Sequence, residues 1–233
     1  MYFKIIFCTA FTNCRQIYES NNQLESRVYT LRDSNGASFD AFCNMSINGL
    51  HGWTVIQRRL NNITPFNRTW QEYKNGFGDA SSNYWIGLQK IRDILGAEST
   101  TFQLYIGMES FHPRDTYRSA FYDSFNLGNE QENYKLRVGS IRQDSSAGDS
   151  LMYHSEKPFS TPDRDNDSSP RVHCAQKFNA GWWFGSCHDS LLNGQYYDGG
   201  LLADLALPDG IIWETWAGDR ESLKSTVMAI RPS

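Results

Sequence analysis

Three carboxylates alternate in Asp163-Arg164-Asp165-Asn166-Asp167. Packed this closely in one loop they repel one another, and a hard cation relieves that repulsion. The spacing is not that of an EF-hand: counted from Asp163, Ser168 stands where glycine is needed and Cys174 where glutamate is needed. A solvated acidic turn without metal is the plain alternative. A second candidate is Cys187-His188, a histidine directly after a cysteine, downstream of Phe178. A third is Gly148-Asp149-Ser150-Leu151, which spells a serine-hydrolase signature and makes Ser150 a remote candidate nucleophile. That signature belongs near an N-terminus with D-x-x-H close to the end, and no D-x-x-H follows Ser150. HExxH, GxSxG, a P-loop and GxGxxG are absent, and the histidines at 51, 112, 154, 173 and 188 show no base–nucleophile pairing. The sequence therefore points to binding and not to an enzyme.

The chain that must position these residues has 233 of them, 39% hydrophobic and 21% charged, a globular composition. That length can bury roughly 70% of the unfolded surface. Seven Trp, 12 Tyr and 14 Phe suit half-buried surfaces that bind through an apolar body and a polar tip. A net charge of −4 argues against nucleic acid, and no run of 18 apolar residues is present to span a membrane.

Five cysteines stand at 8, 14, 43, 174 and 187 without a CxxC, which weakens a zinc reading. Pairing by proximity gives Cys14–Cys43 and Cys174–Cys187 and leaves Cys8 over; reduced thiols in the cytosol are the alternative. Sequons at Asn44, Asn62 and Asn67 favour an oxidising, extracellular compartment and a glycoprotein. Asn166 also fits the pattern but lies in the acidic loop and is expected bare. Residues 1–11, one Lys followed by a short apolar run, read as a truncated signal segment whose cleavage would remove Cys8. Residues 12–233 then form one domain.

Periodicity predicts a short helix at Arg15–Ser20, a strand at Gly52–Arg59, a helical stretch over Trp70–Gly78 and a second helix at Trp85–Leu95 stopped by Gly96. Thr101–Met108, Tyr117–Phe125 and Tyr134–Gly139 alternate as antiparallel strands do, and Ile211–Trp216 and Ser225–Ile230 close the chain as strand-like runs. Between Ser145 and Pro208 periodicity is lost among Gly, Asp, Asn, Ser and aromatics, as in a functional loop region ordered by a metal and a disulfide. An α+β fold follows, with short helices, a mostly antiparallel central sheet and a loop-rich binding end.

Several ordered motifs carry a family resemblance: Gly52-Trp53-Thr54-Val55-Ile56-Gln57-Arg58-Arg59, Trp70-x-x-Tyr73-Lys74-x-Gly76-Phe77-Gly78 and Tyr84-Trp85-Ile86-Gly87-Leu88. Further on come Ala147-Gly148-Asp149-Ser150-Leu151, Cys174-Ala175, Gly181-Trp182-Trp183, Cys187-His188, Leu192-Asn193-Gly194-x-Tyr196 and Gly210-Ile211-Ile212-Trp213-x-x-Trp216. From Asn13 to Pro232 the chain resembles the fibrinogen C-terminal domain family: the fibrinogen β and γ globules, ficolins, tachylectins, angiopoietins and tenascin C-termini. The resemblance implies the same two disulfides. It implies calcium on the side chains of Asp165 and Asp167 and the carbonyls of Ser169 and Arg171. This chain has one residue more between Asp167 and Cys174 than its relatives, which leaves neighbouring carbonyls as alternatives. Affinity would be weak, about 10⁻⁴–10⁻³ M.

In lectin members an acetyl-binding pocket lies beside the metal. The matching positions here are Phe178, Ser186, Cys187 and His188, with a cis peptide before the second cysteine. Leu207-Pro208 stands where acetyl-binding relatives carry Tyr, and Phe178 lacks a hydroxyl, so two polar contacts are lost. A structural His188 and a core Phe178 are the alternative. The fibrin polymerisation pocket is altered as well: its Gln-Asp pair falls on Lys177-Phe178 and its later Asp on Pro208, so fibrin assembly is not expected. The resemblance thus implies a secreted, calcium-stabilised lectin of innate pattern recognition that binds acetylated glycans or glycoproteins. The alternative is a module for a cell-surface or matrix protein. The coiled-coil or collagen stalk through which relatives oligomerise is missing from this chain.

Overall fold

Most of the strand-like runs pair into one antiparallel sheet in the computed structural model, which describes residues 11–20, 25–96, 100–112, 116–200 and 207–233. Of the expected signal segment, residues 1–10 with Cys8 lie outside the described residues. Helix α1 (Cys14–Ser20) leads into strands β1 (Arg27–Arg32), β2 (Ser38–Asn44) and β3 (Trp53–Arg59). Helix α2 (Trp70–Asn75), the short strands β4 (Phe77–Gly78) and β5 (Tyr84–Trp85), and helix α3 (Leu88–Leu95) come next. Strands β6 (Phe102–Glu109), β7 (Tyr117–Leu127) and β8 (Leu136–Val138) follow, then helix α4 (Cys174–Lys177) and β9 (Ser190–Leu191). The chain ends on β10 (Ile212–Trp213), helix α5 (Glu214–Ala217) and β11 (Ser225–Pro232).

The main sheet runs β1-β2-β3-β11-β6-β7-β8, with the β4–β5 hairpin on β3 and a separate β9–β10 pair. The last strand is therefore central, inserted between β3 and β6, so the sheet is complete only when both ends of the chain have folded. Its Met228, Ala229 and Ile230 are fully buried, as are Leu104, Ile106 and Met108 of β6. This matches the α+β expectation.

Three local boundaries differ from the periodicity. The helical run from Trp70 stops at Asn75 because Gly76 takes φ 92°, and a Cβ there would lie 2.3 Å from the Ile86 carbonyl oxygen. The start of that helix is set by a capping box, Thr69 with Glu72. The second helix begins at Leu88 and not Trp85, because Trp85 pairs with Gln57 of β3 and Gly87 breaks the turn at φ 112°. Ile211–Trp216 contributes only two strand residues, since Thr215 is drawn into a turn by bonds from its N and to its Oγ1 at Ser150.

The segment without periodicity is ordered by rings. Trp182, Trp183 and Phe184 are fully buried, and Trp183 meets Trp85 of the sheet (6.2 Å between centroids) and Phe159 (5.2 Å). The indole Nε1 of Trp183 donates to the Tyr134 carbonyl at 2.9 Å. A long loop is thus held to the sheet by aromatic packing, where a strand ladder would normally do it.

Candidate functional site

Asp163, Asp165 and Asp167 do not form one cluster. Asp163 Oδ1 accepts from the backbone N of Trp70 at 2.8 Å and from Thr161 Oγ1 at 2.7 Å, a structural role at the start of α2. Asp167 stays with Asp165, whose Oδ1 accepts the Asp167 N–H at 3.2 Å. The two oxygens of Asp167 take the N–H of Ser169 (2.8 Å) and of Cys174 (2.7 Å). Burial and the adjacent Asp165 carboxylate raise the Asp167 pKa, against the two backbone donors that lower it.

No group of three His, Cys, Asp or Glu side chains suited to a metal occurs among the described residues. Two neighbouring carboxylates with unused lone pairs still fit a hard, oxygen-seeking cation that takes its remaining ligands from carbonyls. The Cys174 bond ties this loop to the first residue of α4 and, through the Cys174–Cys187 disulfide, to His188. Both expected disulfides are present, with Cα–Cα distances of 5.5 Å for Cys14–Cys43 and 5.7 Å for Cys174–Cys187.

Around Cys187 the residues singled out in the sequence do come together. The Ser186–Cys187 peptide is cis, and the Ser186 N–H donates to the Tyr153 hydroxyl at 2.7 Å. His188 meets Phe178 edge-on at 4.5 Å and lies 6.2 Å from Phe184. Both of its ring nitrogens are buried with no hydrogen-bond partner. Burial pushes its pKa down to about 4, outweighing the opposing charge of Asp219 and the weaker pull of the Pro208 and His188 backbones, which lie near the ring without meeting the geometry of a hydrogen bond. Phe178 is 5% exposed, and Leu207 and Pro208 are half-buried. The Lys177 ammonium stands 5.1 Å above the Phe178 ring.

The residue that sequence reasoning missed is His154. It is fully buried: its Nδ1 bonds the Trp183 carbonyl at 2.7 Å, and its Nε2 faces the N–H groups of Asp189 (3.3 Å) and Ser190 (3.0 Å). It therefore holds the strand that begins just after His188. Nothing in the local sequence marks it, because its three partners lie 29 to 36 residues away. Ser150 is 1% exposed and shares hydrogen bonds with Thr215, not with a histidine. Asp149 beside it accepts from the Tyr122 hydroxyl and the N–H groups of Leu151 and Met152, the pattern of a structural turn.

Residues 10–233 match the family model described as the fibrinogen beta and gamma chains, C-terminal globular domain. The chain belongs to this fibrinogen C-terminal family. Ryncolin-4 of Cerberus rynchops is 41% identical over 96% of this chain and 62% of its own length, and human fibroleukin is 36% identical over 95% and 51%. The chain thus spans about half to three-fifths of the length of these curated relatives. The fibrinogen-like globe domain of human ANGPTL2 superposes with a TM-score of 0.88 at 36% identity, covering 95% of this chain and 99% of that one. A lamprey fibrin D-dimer complexed with the peptide Gly-His-Arg-Pro-amide gives a TM-score of 0.85 at 32% identity, covering 95% and 73%. The chain is accordingly a fibrinogen-related recognition domain of the ficolin, angiopoietin-like and fibroleukin type. No helix among its described residues is long and apolar enough to cross a membrane.

Proposed function

We propose that the domain is a secreted, calcium-stabilised, non-enzymatic recognition module that takes acetylated or glycan ligands at His188, as a lectin of innate pattern recognition does. The observation that supports this is the pair of buried, unpartnered ring nitrogens of His188 beside Phe178. Polar atoms left unmet in an aromatic wall suit a ligand that offers a methyl group and an amide together. Calcium on Asp165 and Asp167, completed by the Ser169 and Arg171 carbonyls, would act at a distance, by fixing the loop that Asp167 ties to Cys174. Glycans on Asn62 and Asn67 fit their exposed positions, whereas Asn44 is half-buried and its Oδ1 already accepts from Ser46 N.

The test is retention on N-acetylated resin. Binding should need millimolar calcium, compete with free acetate or N-acetylhexosamine, and be lost in His188→Ala. If folded wild type passes through the resin in calcium, the lectin reading falls.

A second reading, a cell-surface or matrix protein partner, is favoured by the closure of this same wall. Phe178 is nearly covered, and Leu207-Pro208 replaces the expected Tyr. Under that reading the resin stays empty, and a Met152→Glu, Tyr153→Ala double variant on the exposed surface beside Ser186 reduces binding to cells.

A further inference from the structure

Arg59, the last residue of β3, is 1% exposed, yet among the described residues no carboxylate lies within ion-pairing distance of it. Its guanidinium is used on one side only. Nη1 donates to the carbonyls of Gly194 (2.7 Å) and Leu192 (3.4 Å), and the Phe66 ring covers one face at 4.0 Å. Nε is buried without a partner, and Nη2 has no acceptor among the described residues. Nε and Nη2 together form an edge that binds a carboxylate through two parallel hydrogen bonds. Burial lowers the Arg59 pKa only to about 10, so the group is a cation at neutral pH. An uncompensated buried charge is strongly unfavourable, and its neighbours Gln57 and Asn193 are neutral and already bonded to each other and to backbone.

Arg59 lines a cavity of about 70 Å³ whose lining includes the exposed side chains of Asn62, Asn67, Asn179 and Gln195, the first two being the residues on which glycans are proposed, so the tests use unglycosylated protein. That volume is roughly twice the share of one water molecule, so it admits a halide with a water or one short carboxylate. The wall joins this one cation to side-chain amides, the hydroxyl-bearing Thr64 and Tyr196, and the apolar Pro65 and Phe66, and it carries no acidic residue, a lining that does not suit a metal.

We propose that this cavity is a binding site for a small monovalent anion, a halide or a short carboxylate, held by the free edge of Arg59. It is separate from His188 and from the acidic loop, and it does not depend on the function proposed for them. The anion supplies the counter-charge that the fold omits.

Two measurements test it. Crystals of the wild-type protein grown in bromide should give an anomalous peak in the cavity within hydrogen-bond distance of the Arg59 guanidinium. In solution, at fixed ionic strength, the melting temperature should rise with chloride, bromide or acetate in place of a bulky sulfonate. The rise should be about 3–5 °C for each tenfold increase above the dissociation constant. Arg59→Met should abolish the difference between the small anions and the sulfonate. An empty cavity in bromide crystals overturns the proposal even if Arg59→Met does not fold. So does a melting temperature that is the same in all four salts.

Discussion

Acid should destabilise this domain well above the range where carboxylates titrate, and His154 and His188 set the size of the effect. His154 protonated at Nε2 would point an N–H at the two N–H donors of Asp189 and Ser190, in a fully buried site. Burial pushes its pKa down to about 3, with the charges of His188 and Lys157 acting in the same direction and the Trp183 carbonyl opposing. His188 is held near 4 by burial, reinforced by Lys177 and opposed by Asp219. Both folded values lie below the unfolded value of about 6.5, so the unfolded chain binds more protons. The stability they contribute is complete above about pH 6.5 and is lost as pH falls from there towards 4 and 3. At pH 5 both are neutral in the fold and charged in the unfolded chain, which costs about 2 kcal/mol each whatever the exact depressed values. Two such groups give about 4 kcal/mol between pH 7.5 and pH 5, a large part of the stability of a typical domain. Glu72 and Glu130, with lowered pKa, lose stability only below about pH 4.5, and Asp167 and Asp189, with raised pKa, act in the opposite sense. Urea unfolding followed by tryptophan fluorescence, in excess chelator to remove metal release from the slope, measures this directly. His188→Gln should remove about half of the loss between pH 7.5 and 5, and His154→Gln should do the same from a lower starting stability. A midpoint that does not move with pH over that interval would refute the burial argument for both residues.

Calcium at 2 mM should raise stability by about 0.6–1.8 kcal/mol for affinities of 10⁻³–10⁻⁴ M, a shift of a few degrees in Tm. Asp165→Asn with Asp167→Asn should erase that shift, whereas Asp163→Asn, whose partners are Trp70 and Thr161, should lower Tm equally with and without calcium. Non-reducing peptide mapping should recover Cys14–Cys43 and Cys174–Cys187, and free thiols at 174 and 187 would count against an extracellular protein. Thr69→Ala removes the capping box of α2 and should cost about 0.5–2 kcal/mol in urea unfolding; no measurable change would mean that the box is idle.

What was legible in the sequence follows from where each partner lies. Strands β6, β7 and β11 announce themselves through their apolar and polar residues in alternation, although burial is continuous over five residues of β6 and four of β11, and both disulfides could be paired because their cysteines are 29 and 13 residues apart. Spacing marked Asp163, Asp165 and Asp167 alike, and only the family resemblance set Asp165 and Asp167 apart. Asp163 carried the same signal and was claimed by a backbone N–H 93 residues away, which spacing cannot reveal. The region from Ser145 to Pro208 was opaque because its order comes from ring contacts with Trp85, outside it, and from bonds that His154 makes to residues 29 to 36 positions further along the chain. These distant ties bear on how the site works. His188 lies between a cysteine bonded to Cys174 and two backbone N–H groups held by His154. Asp167 grips Cys174 from the acidic loop, so one path from that loop to His188 runs through a hydrogen bond and the disulfide, and a second runs from the Ser168 N–H to the Gly185 carbonyl (3.3 Å) and from the Gly185 N–H to the Cys187 carbonyl (2.8 Å). A cation that orders Asp165 and Asp167 would therefore act on His188 through two short links, while His154 holds the far side in place. On this arrangement reduction of Cys174–Cys187 should weaken, without abolishing, the dependence of ligand binding on calcium where the fold survives, because the disulfide path is then gone and the hydrogen-bonded path through Gly185 remains.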